Sequence, residues 1–177
     1  DDEEWLFIYQ TESTYGARVL FSPLTDDSKL DALQFETLYP AFDSESGIVA
    51  VKDGQFYVLT DLDASNCRLV KVDPENPEPE NWQDVLPETD TLLTSVVAIG
   101  DRLLVKYLKD AAHECFFYSY DGEKLGELEL PGLGVVGITG KKDNPEFFYT
   151  FTSFVNPSSI YRYDLATNES APWWSPE

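Results

Sequence analysis

The stretch FFYTFTSFVNPSSIYRYDL, Phe147 to Leu165, decides the fold. Its first run is rich in Phe, Tyr and Thr, residues that suit a pleated, half-buried surface. Asn156-Pro157-Ser158-Ser159 then interrupts it, because proline cannot donate to a ladder and Asn and Ser favour turns. Ile160-Tyr161-Arg162-Tyr163 resumes as a second strand, and Asp164 opens the next connection. The local physics predicts a β-hairpin. It supplies no chemistry, since no nucleophile stands beside a base.

Working outward, short aromatic or β-branched runs recur along the whole chain, each bounded by turn residues. They are Trp5–Thr11, Arg18–Pro23, Leu33–Tyr39, Ile48–Val51, Phe56–Asp61, Arg68–Asp73, Trp82–Leu86, Thr94–Ile99, Leu103–Leu108, Cys115–Tyr120, Leu125–Leu130, Val135–Thr139, Phe147–Phe154, Ile160–Tyr163 and Ala171–Trp174. No window keeps a 3.6-residue period, so helix is expected to be scarce. Grouped by fours, the runs repeat: Asp73 to Asp121 spans 48 residues and Asp121 to Asp164 spans 43. Four strands per unit at a period in the forties is the mark of propeller blades. The expected fold is all-β, a β-propeller segment of about three to four consecutive four-stranded antiparallel blades. The expected blades are 47–88, 94–130 and 134–175. Residues 1–40 form an incomplete blade that lacks its innermost strand.

The turns carry suitable residues. Lys52-Asp53-Gly54, Gly100-Asp101 and Asp121-Gly122 tolerate positive φ. The acidic, proline-rich segment Pro74 to Glu80 reads as an exposed spacer. In mid-blade strands both faces should be buried, a role that suits Phe147, Phe148, Tyr149, Phe151 and Phe154. Trp173 and Trp174 should point to opposite faces, because strand side chains alternate.

Composition narrows the function. The chain has 177 residues, 42% of them hydrophobic, enough for a real core. Thirty-three acids against twelve bases give a formal charge of -21. That argues against nucleic acid or an anionic membrane as partner, since both need a basic patch. The charge reads chiefly as a solvated surface, with attraction of basic peptides as the functional alternative. No apolar run is long enough to span a bilayer. Two cysteines, Cys67 and Cys115, do not make a disulfide framework. Asp1 to Trp5 shows neither a basic region nor an apolar signal segment. A reducing, cytoplasmic compartment is expected.

The search for catalytic groups is negative. No Gly-x-Ser-x-Gly elbow occurs. The one histidine, His113, lies in KDAAHE, read as a turn that leaves its side chain in solvent; neither a nucleophile nor an orienting acid can be named beside it. No Cys-x-x-Cys or His cluster suggests a metal. Gly132-Leu133-Gly134 opens no helix and is no dinucleotide loop. Asn168-Glu169-Ser170 matches a glycosylation acceptor by pattern alone. No catalytic residue, metal ligand or cofactor is expected.

The Phe147–Leu165 stretch also resembles the last-blade motif of the prolyl oligopeptidases, serine peptidases in which a β-propeller precedes an α/β-hydrolase domain. The specific part is Phe151-Thr152-Ser153-Phe154, followed by Pro157 and Tyr161-Arg162-Tyr163-Asp164-Leu165. Gly134 to Asp143 and, more loosely, Trp82 to Glu88 fit the same family. The resemblance runs over essentially the whole chain and is strongest from about Val96. It implies part of a seven-bladed propeller that caps an active site and limits it to short peptides. The serine, aspartate and histidine would lie in a hydrolase domain expected to follow and absent here. The parent would be a serine-type prolyl endopeptidase. In one branch a propeller loop lends an arginine and a cysteine to substrate binding; those positions fall on Gln10 and Ser13, both departures from that branch. Expected partners are the hydrolase domain of the parent chain and short peptide substrates. The alternative is a stand-alone propeller that binds protein partners on one rim.

A segment of three to four blades leaves the faces of its first and last blades without neighbours. The isolated 177-residue chain is therefore expected to associate, since charge repulsion is screened beyond roughly 8–10 Å at ordinary salt. Light scattering checks this; a monodisperse, cooperatively melting monomer would contradict it.

Overall fold

Strands make up nearly all the regular structure of the computed structural model, which describes residues 4–25 and 29–176. Among these residues there are fifteen strands, two single-turn 3-10 helices at Leu30–Ala32 and Pro79–Asn81, and no α-helix. The strands are β1 (Trp5–Gln10), β2 (Arg18–Pro23), β3 (Glu36–Tyr39), β4 (Ser46–Lys52), β5 (Gln55–Thr60), β6 (Arg68–Val72), β7 (Gln83–Leu86), β8 (Leu92–Ile99), β9 (Arg102–Lys109), β10 (Ala112–Tyr118), β11 (Lys124–Glu127), β12 (Val135–Thr139), β13 (Glu146–Thr152), β14 (Ser159–Asp164) and β15 (Glu169–Trp174). They form one three-stranded and three four-stranded sheets, each an antiparallel meander in chain order. This is the all-β propeller segment that the repeat predicts. Among the described residues β1 pairs only with β2.

The chain divides into two compact units, residues 1–87 and 88–177. In the first, the β1–β3 sheet packs on the β4–β7 sheet. Val19, Phe21, Leu38 and Tyr39 meet Phe56, Val58, Val70, Val72 and Trp82 in one buried cluster. Phe56 is fully buried, with the rings of Trp5, Phe7 and Phe21 edge-on to it at 4.9, 5.0 and 5.1 Å. Such edge-to-face contacts add to the gain from burial because a ring's edge is positive and its face negative. In the second unit, Ile99, Leu104, Cys115, Phe117 and Leu128 of the β8–β11 sheet meet Val136, Phe147, Tyr149, Phe151 and Tyr163 of the β12–β15 sheet.

The hairpins follow the turn chemistry. Asp53 and Gly54 both have positive φ, 51° and 74°, the two-residue turn that matches strand twist. Asp110 and Ala111 make the same turn, φ 49° and 63°, between β9 and β10. The turn expected over KDAAHE is therefore shorter than its six residues, because Ala111 takes a positive φ that its side chain does not announce. His113 therefore lies within β10, paired with Leu108.

Other expectations change at the ends of strands. Leu33–Phe35 precedes β3 instead of belonging to it, after the turn at Leu30–Ala32. β13 ends at Thr152, and Phe154 lies in the following turn, fully exposed; the Ser153 hydroxyl accepts the Asn156 N–H at 3.1 Å and closes that turn. Trp173 and Trp174 are both exposed, at 61% and 52%. The β14–β15 register slips, Ile160 facing Trp174 and Tyr161 facing Pro172, so the alternation assumed for the pair is lost at Trp173. Trp173 lies edge-on to Phe148 at 5.4 Å. The proline-rich loop is structured: Trp82 Nε1 donates to the Pro77 carbonyl at 2.8 Å, while Glu75, Glu78 and Glu80 stay exposed.

Removing the ring at the centre of the first seam tests this packing. Phe56→Ala should cost about 3–5 kcal/mol, the usual range for emptying a buried aromatic site. Urea unfolding followed by tryptophan fluorescence measures it, and Trp5, in contact with Phe56, reports it directly. A loss below ~1 kcal/mol would mean the seam is not the core.

Candidate functional site

The β1–β2 connection, residues 11–17, carries the positions singled out for substrate contact. Gln10 ends β1 and Ser13 lies near the loop tip, both exposed. The Ser13 hydroxyl donates to the Tyr15 carbonyl at 2.9 Å and accepts the Tyr15 N–H at 3.4 Å, so it shapes the loop's own turn. Directly across the strand pair from Gln10 stands Arg18, half-buried, its Nε without a hydrogen-bond partner among the described residues. Residues directly opposite on an antiparallel pair project to the same face. A cation thus stands beside Gln10, a position whose own side chain carries no charge.

The loop is held from the β4–β5 hairpin. Asp61, just after β5, accepts the Tyr15 hydroxyl at 2.7 Å on one carboxylate oxygen. Its other oxygen accepts the Ser44 hydroxyl at 2.7 Å and the Glu45 N–H at 2.8 Å. Glu45 in turn accepts the Gly16 N–H at 3.0 Å, and the Ala17 N–H donates to the Ser44 carbonyl at 3.1 Å. Gly16 has φ +79°, and a Cβ there would stand 1.9 Å from the Phe42 carbonyl oxygen, so only glycine fits. Beneath, Thr60 is buried and bonded to Ser46 at 2.7 Å, and its hydroxyl accepts the Leu62 N–H at 3.1 Å.

Charge follows from this wiring. Partial burial pushes the Asp61 carboxyl up, but the bonds from Tyr15, Ser44 and the Glu45 N–H outweigh it, and its pKa lies below the usual carboxylate value. The same bond to Asp61 and the surrounding acids push the Tyr15 phenol up to about 12. Tyr39 is also raised, by burial and then by its bond to Asp43. The loop is a hydroxyl-bearing surface that carries one acid of its own, the exposed Glu12, with acidic neighbours and one arginine beside it. Its hydroxyls can both donate and accept hydrogen bonds.

His113 is not the solvated side chain expected of it. It is half-buried, and its ring Nδ1 accepts the Val136 N–H at 2.8 Å while its backbone N–H donates to the Gly134 carbonyl at 2.8 Å. A ring nitrogen engaged with a backbone donor is not free to act as a general base. Cys67 lies in the turn before β6 with φ 62°, and Cys115 is buried within β10, its thiol pushed up to about 12 by burial. The second unit also has an open groove of about 840 Å³ lined by Arg102, Glu127, Tyr161, Tyr163, Glu169 and Ser170 among others. Among the described residues no three His, Cys, Asp or Glu side chains are grouped to hold a metal ion, and no helix is long and apolar enough to cross a membrane.

Sequence reading found the loop but missed what holds it. Asp61 and Tyr15 are 46 positions apart, and an Asp that ends a strand is unremarkable until the fold brings it to the loop.

The consecutive antiparallel meanders define a β-propeller segment, and the loop and its supports form a surface of hydroxyls and carboxylates on its first unit. Residues 1–176 match the model of the prolyl oligopeptidase N-terminal β-propeller domain, and the chain belongs to that family. It is 29% identical over 178 residues to a prolyl endopeptidase of Elizabethkingia meningoseptica, which covers all of this chain and 24% of that protein. It is 30% identical over 131 residues, 73% of this chain and 18% of the relative, to a dual function macrocyclase-peptidase of Amanita bisporigera. A structure from a study of two prolyl endopeptidases superposes with a TM-score of 0.87 at 30% identity, covering 99% of this chain and 26% of that one. Prolyl oligopeptidase B from Galerina marginata, solved with a 35mer hydrolysis and macrocyclization substrate, superposes at 0.92 over 99% of this chain and 25% of that one; at 22% identity it speaks for the fold. The chain spans about a quarter of the length of the relatives it matches.

The Asp61 anchor gives a test with a definite sign. Its carboxyl is depressed in the folded chain, so its contribution is present above the unfolded value of about 3.9 and lost as pH falls through the lower folded value. Limited proteolysis within residues 11–17 should be slow at neutral pH, and should accelerate severalfold in Asp61→Ala at the same pH or in the parent sequence below about pH 4. Equal cleavage rates in the two proteins at pH 7 would show that Asp61 does not hold the loop.

Proposed function

We propose that this chain is the non-catalytic propeller segment of a prolyl oligopeptidase-like serine peptidase. In this reading the four sheets are consecutive blades, and an α/β-hydrolase domain of the same parent chain carries the nucleophile, base and acid that cleave after proline. The propeller admits short peptides and excludes larger ones. The β1–β2 loop contributes to binding, through Gln10 and Ser13 at its surface and Arg18 across the strand pair.

The observation that carries the proposal is the match of the whole chain to the family's propeller domain, without a serine elbow anywhere in it. The chemistry of the loop agrees. Its hydroxyls and amide suit the backbone of an extended peptide, and Arg18 can donate to a substrate carbonyl or carboxylate. For two prolyl endopeptidases of known structure, inter-domain dynamics has been studied for its role in catalysis and specificity. That role suits a domain that governs access.

Turnover separates the roles. The isolated chain should hydrolyse a proline p-nitroanilide peptide no faster than buffer. The parent enzyme should cleave a short proline peptide at least tenfold faster than the same site within a folded protein, and Arg18→Ala should raise KM severalfold with kcat little changed. Turnover by the isolated chain that vanishes in His113→Ala would overturn the reading.

A further inference from the structure

We propose that His113 is a pH-sensitive latch that fastens the β12 strand to the β8–β11 sheet, released when its imidazole takes up a proton. The geometry carries this. His113 lies on β10, in one sheet of the second unit, and Val136 lies on β12, in the next. Two bonds cross between them at the same point. The His113 backbone N–H donates to the Gly134 carbonyl at 2.8 Å, and the Val136 N–H donates to the His113 ring at Nδ1 at 2.8 Å.

The second bond requires a particular chemical state. A ring nitrogen accepts only when it carries no proton, so the folded chain holds neutral imidazole with its hydrogen on Nε2. Protonation puts a hydrogen on Nδ1, facing the Val136 N–H. Two donors then oppose each other across 2.8 Å, and the bond is lost. Val136 is buried, so its N–H would have no water to turn to without the strand moving outward.

The surroundings favour the neutral state. Lys106 of β9 faces the imidazole, and its ammonium donates to the Val136 carbonyl at 3.1 Å, so a cation already sits at the junction. β12 and the segment from Pro131 to Gly134 bring no titratable side chain, and β8 brings none. On β10 itself, Glu114 is paired with Lys109 at 3.4 Å, and Cys115 is a buried thiol. Glu127 of β11 bears on Cys115. Burial, then the Lys106 charge, holds the imidazole below its ordinary value. The sign follows: the latch is fully closed above the unfolded value of about 6.5 and opens as pH falls through the lower folded value. The seam beside it is otherwise apolar, with Cys115, Phe117, Val136 and Phe151 in one cluster. It has no other ring that titrates in this range.

The chain has a single histidine, so one imidazole signal in a nitrogen-15 spectrum of the protein, alone or within the parent enzyme after selective histidine labelling of this segment, reports it without ambiguity. Near pH 7.5 it should show an unprotonated Nδ1 and a protonated Nε2, and it should titrate below the value of a free imidazole. Hydrogen exchange of the 134–139 segment, corrected for the intrinsic pH dependence, should speed up about tenfold between pH 7.5 and pH 5. In His113→Asn, whose side-chain oxygen sits where Nδ1 sat and does not titrate, the segment should stay protected at both pH values. In His113→Leu it should be unprotected at both. A free-imidazole titration in the wild type, an exchange rate of the segment indifferent to pH, or the same pH response in His113→Asn would each overturn the latch. The nitrogen-15 result is read on the wild type and does not depend on either variant folding.

Discussion

The flat faces of neighbouring sheets are the constraint on which this structure depends. A single antiparallel sheet has two faces and, in a blade, both must be covered. The first unit meets this with Phe56, whose ring is enclosed by Trp5, Phe7 and Phe21. The second meets it with Phe147 and Tyr163, stacked at 5.0 Å, and Phe117 against both. Burying apolar area at roughly 25 cal/mol per Å² favours such seams over isolated sheets. Aromatic rings fill them well because each ring covers much area with few rotatable bonds. The turns, registers and loop positions follow once the seams are set.

The polar features are placed by those seams. Asp61 reaches Tyr15 only because β5 and the β1–β2 hairpin lie in adjacent, packed sheets of one unit. Each bond around Asp61 is modest, about 1 kcal/mol or a little more, but a carboxylate with three donors holds a loop better than any one of them. The result is a surface loop whose tip stays exposed while its base is fastened. The base of the Thr11–Ala17 loop is ordered by the chain's own bonds, in advance of any other contact. His113 joins backbone across the seam of the second unit in a comparable way.

The places where the sequence misled are those where one residue's conformation outweighed its neighbours' pattern. Phe154 continues an aromatic run, yet the Ser153 hydroxyl captures the Asn156 N–H and ends the strand two residues earlier. Ala111 adopts a positive φ that alanine rarely takes, which concealed a two-residue hairpin and moved His113 from a turn into a strand. At Trp173 the register with β14 slips, and alternation no longer predicts a face.

What the sequence determined by itself was the number, order and grouping of the strands, and with them the all-β propeller segment. That information is local: a period of two, a turn residue at each break, and a repeat in the forties are all written in neighbouring positions. Gln10 and Ser13 were singled out by the family resemblance alone, and the structure puts Gln10 at the end of β1 and Ser13 in the connection that follows. Tertiary structure alone decided that Asp61 and Gly16 hold this loop, that Arg18 stands beside Gln10, and that His113 accepts a backbone N–H from the next sheet. The His113–Val136 bond joins residues 23 positions apart, and the Tyr15–Asp61 bond joins residues 46 apart. A hydrogen bond needs its two atoms within about 3 Å, and only the packing of one sheet on the next brings such distant positions that close.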